Sequence, residues 1–286
     1  MLDSAREKLF AARAKRVRPG RDEKILTSWN ALMIRGMSHA GRVFGRKDWI
    51  DSARRAMDFV RSTLFVDGRL LATYKDGRAH LNAYLDDHAY LIAALLDLVQ
   101  SRFRIEDVEF AQTLADALLA RFEDAAVGGF FFTSSDHEKL IARPKPGPDN
   151  ATPSGNGLAA LALQRLGHVL GESRYLDAAG RTLQAFFPQM QQHASAFATL
   201  CMALAEHMEP PATIVVRGEA RDLPAWMAGM SDAYRPHALV LAVPNGLAGL
   251  PQTIDKPQRS GVNAWVCRGV NCLPPIDERS ALEAQL

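Results

Sequence analysis

A mainly α fold is predicted, built as a two-layer array of helical hairpins with short β-hairpins between pairs and a small α/β element after them. Three observations predict it. Apolar residues recur at helical spacing through most of the chain between Ser28 and Met208. More apolar helices alternate with amphipathic ones, which is the pattern of buried rods covered by outer partners. Near Glu209 the composition changes to β-branched runs broken by proline.

Taken in order, "SWNALMIRGMSHAGRVF" carries Trp29, Leu32, Met33, Met37, Ala40, Val43 and Phe44 at helical spacing, with Gly45 as its stop. "WIDSARRAMDFVRSTL" has Ile50, Ala53, Met57, Val60 and Leu64 on one stripe, and Arg54, Arg55, Asp58 and Arg61 lie off it. The segment Tyr84 to Gln100 is apolar on nearly every side, whereas Glu106 to Phe122 is one-sided. A third pair runs from Pro153 to Leu170 and from Arg174 to Phe187, and a further helix, His193 to Met208, follows Pro188. "GRLLATYKDGRAHL" reads as a β-hairpin around a Lys-Asp-Gly turn. "GGFFFTSSDHEKLIARP" reads as a second, with Phe130 to Thr133 and Leu140 to Ala142 as strands. Each hairpin precedes a buried helix, so one end of the array collects the loops and is where a site is sought.

Residues 1–208 are thus expected to form the helical domain and residues 209–286 the small α/β element. In the latter, "ATIVVRG" and "HALVLAV" read as strands, "LPAWMAGM" as a short helix, and Ile276 to Gln285 as a last helix. The 286 residues are 48% hydrophobic and 23% charged, as in globular proteins. A net charge of +2 makes no case for nucleic acid or an anionic membrane as partner. No run approaches the ~18 apolar residues of a spanning helix. The N-terminal "MLDSAREKLFAARAKR" lacks the apolar stretch of a secretory signal, and three cysteines imply no disulfide framework, so the expected compartment is the cytoplasm.

Candidate chemistry sits where three buried helices begin. Their mouths are Thr27-Ser28-Trp29-Asn30, Leu85-Asp86-Asp87-His88 and Thr152-Pro153-Ser154-Gly155-Asn156. Ser, Asp and Asn at such positions satisfy free N–H groups of the first turn, and acidic groups suit the helix dipole. Two successive carboxylates diverge by about 100° around a helix, so one can cap while its neighbour faces a pocket as acid or base. Asp86, Asp87 and His88 are the catalytic candidates, with His80 an alternative partner. The proline-braced loop "IARPKPGPDNATPSGNG" offers Arg143, Lys145, Asp149 and Asn150. Trp29, Tyr74, Tyr84 and Phe131 have the flat faces that sugar rings favour, although each also suits packing. The substrate-binding candidates are Trp29, Asn30, Tyr84, Arg143, Lys145, Asp149, Ser154 and Asn156. The same residue pattern serves capping and chemistry alike.

"RDEKILTSWNALMIRGMSHAG", "YLDDHAYLIAALLDL", "GGFFFT" with "ATPSGNGLAAL", and "VCRGVNCLPP" resemble, in that order, the C-terminal half of the thioredoxin-domain-containing family that includes spermatogenesis-associated protein 20. The resemblance runs from about Arg18 to Pro275. It implies an (α/α)6 toroid similar to six-hairpin glycosidases and N-acylglucosamine 2-epimerases, hence a carbohydrate-related role with a sugar bound in an end-on pocket. The alternative it implies is a non-catalytic scaffold of a thioredoxin-containing protein. About three and a half of six hairpins are legible, and no thioredoxin-like region or Cys-x-x-Cys precedes them. The chain is therefore expected to be an incomplete toroid and a C-terminal piece of a longer protein. Its open edge would favour self-association or contact with a missing N-terminal thioredoxin-like region. His88 replaces an expected aromatic, and Asn150 an expected glycine.

No cofactor or metal is expected. Cys267 and Cys272 lie too far apart for a paired zinc motif and lack a second pair, so free thiols are favoured over an opportunistic disulfide. Cys201 reads as core. His39, His168, His193 and His207 are isolated helical residues. No P-loop, dinucleotide fingerprint or serine nucleophile elbow occurs, and "GNG" lacks the lysine and strand of a phosphate loop.

Overall fold

The computed structural model, which describes residues 2–138, 140–228, 230, 233–269 and 271–285, forms the helices the period predicts, but in the first of them the buried face is Thr27, Ala31, Ile34, Ser38 and Gly41, whereas Trp29, Met33, Val43 and Phe44 of the apolar stripe are exposed. An exposed helix α1 (Leu2–Ala14) leads to strand β1 (Ile25–Leu26) and helix α2 (Thr27–Val43). Helix α3 (Lys47–Phe59) continues into a π-helical turn over Val60–Leu64, and strands β2 (Phe65–Val66), β3 (Arg69–Lys75) and β4 (Arg78–Asn82) follow. Helices α4 (Leu85–Ser101), α5 (Ile105–Arg121), α6 (Gly155–Leu170), α7 (Ser173–Gln192) and α8 (Ala198–Met208) complete the helical part.

Helices α2, α4, α6 and α8 lie side by side as an inner row, and α3, α5 and α7 each cover a neighbour from outside. The difference is chemical. α4 and α6 bury Leu91, Ile92, Leu95, Leu158, Leu161 and Leu163 almost completely, whereas α5 buries mainly one stripe, including Phe110, Leu114 and Leu118. Each such leucine contributes roughly 1.5–3 kcal/mol relative to an exposed one. Polar contacts tie the outer layer together. Asp107, fully buried, receives Arg54 at 2.9 Å and Arg61 at 2.5 Å. Inner-row C-terminal ends are joined where Arg35 and Arg42 meet Asp97. The result is an arc of an α/α toroid.

The first β-hairpin forms as expected: β3 and β4 pair antiparallel, with Lys75 opposite Arg78. Asp76 and Gly77 both have positive φ, at 50° and 78°, as the two-residue turn that matches strand twist demands. The second predicted hairpin does not form. Phe130 to Thr133 and Leu140 to Ala142 are irregular, apart from a bridge between Glu123 and Phe130. Their backbone groups go elsewhere: Phe131 N–H to Phe122 O at 2.8 Å, and Phe132 N–H to Pro144 O at 2.8 Å. Pro188 does not end its helix either. It sits inside α7 on the exposed side, and a short 3-10 turn, Ala194–Phe197, makes the break before α8.

Beyond Pro211, strand β5 (Ala212–Gly218), helix α9 (Leu223–Met227), strand β6 (Ala238–Pro244), strand β7 (Asn263–Arg268), strand β8 (Asn271–Cys272) and helix α10 (Arg279–Ala284) make the small α/β element. Its sheet runs β6-β5-β7-β8, with β5 and β6 parallel and the other pairs antiparallel. The last helix is shorter than expected because Ile276 is spent on an antiparallel bridge to Ala264. One sheet face packs on α9 and α10 through Leu223, Ile276 and Leu282. The other face shares a core with the helical part, where Val215, Leu239 and Leu241 meet Val99, Phe103 and Val169. Cys267 and Cys272 form a disulfide across β7 and β8, against the free thiols expected. The antiparallel register sets these two residues directly opposite each other, which spacing along the chain could not reveal.

Candidate functional site

The inner row is parallel, so α2, α4, α6 and α8 all begin at one end. Four sets of contacts stitch those beginnings together. Ser28 N–H of α2 donates to Asp87 Oδ1 of α4 at 2.8 Å. Tyr90 OH of α4 donates to Pro153 O, just before α6. Asp86 Oδ1 occupies the space that a side chain at Gly155 would need. Asp149 accepts from Ser154 N–H at 2.7 Å, Thr199 N–H at 2.9 Å and Thr199 Oγ1 at 2.6 Å, joining α6 to α8. The three mouths named from the sequence therefore adjoin.

Most of the candidate side chains at this end are bonded to backbone. Asp87, at the third position of α4, uses its second oxygen to accept Tyr84 N–H at 2.8 Å, so both oxygens are engaged. Asn30 Nδ2 donates to Leu26 O at 2.8 Å, and Ser154 Oγ accepts Gly157 N–H at 3.2 Å as the cap of α6. Asn156, fully buried, accepts Phe130 N–H at 2.7 Å and donates to Phe130 O and Pro146 O, both at 2.9 Å. This clamp holds the long loop before α6 and explains why that loop needs no strands of its own. Arg143 donates to Thr133 O at 2.6 Å and lies over the Phe131 ring at 4.2 Å. Lys145 donates to Asp124 Oδ2 at 2.7 Å and to Gly128 O at 3.1 Å. Tyr84 stacks on Phe132 with ring centres 5.0 Å apart, and Tyr74 meets Phe59 edge-on.

His88 turns away from the two aspartates. Its Nδ1 lies 3.0 Å from Tyr84 O, its ring packs against Phe122, and it lines a small recess with Arg69, Asn82, Arg121 and Ser134. Burial lowers its proton affinity to about 4, so the ring is neutral near neutral pH. His80 is exposed on β4. The catalytic trio expected from the sequence is thus divided, with the imidazole on the hairpin side of α4.

Asp86 and Trp29 differ from the rest. Asp86 Oδ1 is buried with no hydrogen-bond partner among the described residues, and burial raises its carboxyl to about 6. Asp87 is raised further, to about 7, because burial outweighs the Tyr84 and Ser28 N–H groups that favour its charged form. Trp29 is 65% exposed on the first turn of α2, next to the Ser28 N–H that Asp87 holds. Asp86 offers a carboxyl that holds its proton against α6, and Trp29 an open aromatic face on α2.

The sequence reading missed a cavity of about 350 Å³ at the opposite end of the inner row. His39 and Arg42 of α2 and Gln100 of α4 form one wall, and Met227, Tyr234 and Arg235 of the α/β element form another. These residues are separated by well over a hundred positions, so no local motif announces them.

No protein-family model matches the chain. It is similar to spermatogenesis-associated protein 20 of Homo sapiens, 29% identical over 305 residues, which cover 100% of this chain and 39% of that protein. The counterpart from Rattus norvegicus is 29% identical over 254 residues, covering 84% of this chain and 32% of that one. The chain thus spans about a third of the length of these curated relatives. Among solved structures, cellobiose 2-epimerase from Bacillus thermoamylovorans B4167 superposes with a TM-score of 0.50 at 12% identity, covering 59% of this chain and 46% of that one. Over that part the helical array shares its fold with this epimerase.

Proposed function

We propose that the adjoining beginnings of α2, α4 and α6 form a carbohydrate-handling face on which Asp86 carries the proton. One observation carries this reading: a partly buried carboxyl with an unpartnered oxygen, protonated up to about 6, stands where the inner helices begin. An acid that keeps its proton near neutrality suits proton transfer to a glycosidic oxygen or at a sugar carbon. Trp29 supplies a stacking face, and Asn30, Tyr84, Arg143, Lys145, Asp149, Ser154 and Asn156 hold the surrounding backbone in place. The likeness in fold to a cellobiose 2-epimerase supports the direction of this reading, with a saccharide as the substrate class.

The test is titration of the chain with a panel of mono- and disaccharides, read by tryptophan fluorescence and by calorimetry. Saturable binding is expected, weakened about tenfold or more, ~1.4 kcal/mol, by Asp86→Asn and by Trp29→Ala. A flat response across the panel, or unchanged binding by Asp86→Asn, would overturn it. A scaffold role within a thioredoxin-domain-containing protein is the second reading. It is favoured by the way Asp87, Asp149 and Asn156 spend their polar atoms on hydrogen bonds within the fold. Complex formation with a thioredoxin-like domain, together with a flat sugar titration, is the outcome it expects.

A further inference from the structure

At the far edge of the small sheet, the two-residue strand β8 is tied to β7 by the bond between Cys267 and Cys272. The two sulfurs occupy unlike surroundings. Cys267 is only 4% exposed, whereas Cys272 is exposed on the edge strand. A third group completes the arrangement. Lys256, from the loop between β6 and β7, places Nζ 3.3 Å from Cys272 Sγ. Among the charged residues nearby, Asp255 faces the buried guanidinium of Arg217 at 3.7 Å, and Arg268 reaches towards Pro210 O at 3.5 Å. An ammonium against the more exposed sulfur of a pair is the environment that stabilises a thiolate there.

We propose that Cys267 and Cys272 form a dithiol–disulfide exchange centre acting on disulfides of other molecules. Cys272 is its exchanging sulfur, Cys267 its resolving sulfur, and Lys256 a positioning residue. In the reduced protein, the Cys272 thiolate attacks one sulfur of an external disulfide R–S–S–R. The external S–S bond breaks, one RS⁻ leaves and takes a proton, and Cys272 is held as Cys272–S–S–R. Cys267 gives up its proton and attacks Cys272 Sγ, which expels the second RS⁻ and restores the Cys267–Cys272 bond. The balance is one dithiol and one disulfide giving one disulfide and two thiols. The reverse sequence, driven by an excess of external thiol, regenerates the dithiol.

Glutathione is the probe. The full chain is equilibrated in reduced and oxidised glutathione at a series of ratios, free thiols are trapped by alkylation, and each cysteine is read by peptide mass spectrometry. Cys267 and Cys272 are expected to exchange between oxidised and reduced together within the glutathione range. In Cys267→Ser, glutathione is expected to accumulate on Cys272. In the reduced protein, Lys256→Met is expected to slow alkylation of Cys272 at neutral pH about three- to tenfold and to move its pH midpoint upward, leaving Cys201 unchanged. A pair that stays oxidised in the most reducing buffer is a structural bridge and overturns the proposal. So does a Cys272 alkylation profile indifferent to Lys256→Met, a measurement that remains decisive if the Ser variant fails to fold.

Discussion

Asp86 and Asp87 are adjacent in sequence and unlike in consequence. Asp87 is the shared cap of two helices, accepting the N–H groups of Tyr84 and Ser28. Asp87→Ala leaves two donors without that acceptor, and urea denaturation is expected to show a loss of about 2–4 kcal/mol, more than one ordinary cap. Asp86 makes no such bond, although burial raises both carboxyls, that of Asp87 to about 7. The folded-state affinity of Asp86 for a proton is raised, from 3.8 to about 6, so the folded chain binds a proton that the unfolded chain releases. The stability this group contributes is present below about pH 4 and is lost as pH rises through about 6. Between those limits, wild type is expected to lose about 1–3 kcal/mol relative to Asp86→Asn. His88, lowered to about 4, contributes a slope of opposite sign between about pH 4 and about 6.5. Asp87, raised to about 7, contributes a slope of the same sign as Asp86, and the comparison with Asp86→Asn at each pH removes both backgrounds. Parallel pH profiles for the two proteins would remove Asp86 as the proton-carrying group.

At the scale of elements, the approach of α6 to α4 depends on Gly155. A Cβ there would strike Asp86 Oδ1 and sit 3.0 Å from Leu85 Cγ. Gly155→Ala is expected to cost about 1–3 kcal/mol, and Asp86→Ala in the same chain is expected to recover part of that loss. A double-mutant cycle measured by denaturation checks the coupling, and strictly additive losses would show that the helices do not meet through this pair. The two predicted β-hairpins show what is legible at this scale. Lys75-Asp76-Gly77 carries its own turn chemistry, and the hairpin around it forms. Phe130 to Thr133 is as apolar as a strand, yet Asn156, from the following helix, takes both polar backbone groups of Phe130. A side chain 26 residues away outcompeted the local pattern, and a window of a dozen residues does not contain it.

At the scale of the molecule, the inner row ends in exposed apolar side chains on both flanks. Trp29, Met33 and Phe44 of the α2 flank are 65%, 63% and 70% exposed, and Met202 and Met208 on α8 are 54% and 78% exposed. Such faces favour association. Sedimentation velocity is expected to show concentration-dependent self-association that Met33→Glu weakens, and a strictly monomeric chain at high concentration would contradict it. The described residues include no helix long and apolar enough to cross a membrane.

The contrast between more apolar and one-sided helices was sufficient to read two layers, because burial is written into period in α4 and α6; α2 is the exception, an inner helix that buries small and polar residues and leaves Trp29, Met33 and Phe44 exposed. The asymmetry between Asp86 and Asp87 could be posed from sequence as a cap beside a freer acid, since neighbouring residues on a helix must diverge. Only the tertiary structure decided which was which, by setting Ser28 against one carboxylate and Gly155 against the other. It also decided the neutral, inward-facing His88, the Asn156 clamp, the Cys267–Cys272 bond and the ammonium beside it. Those are contacts between distant segments, and their energies depend on distance and desolvation, which one chain written in order does not contain.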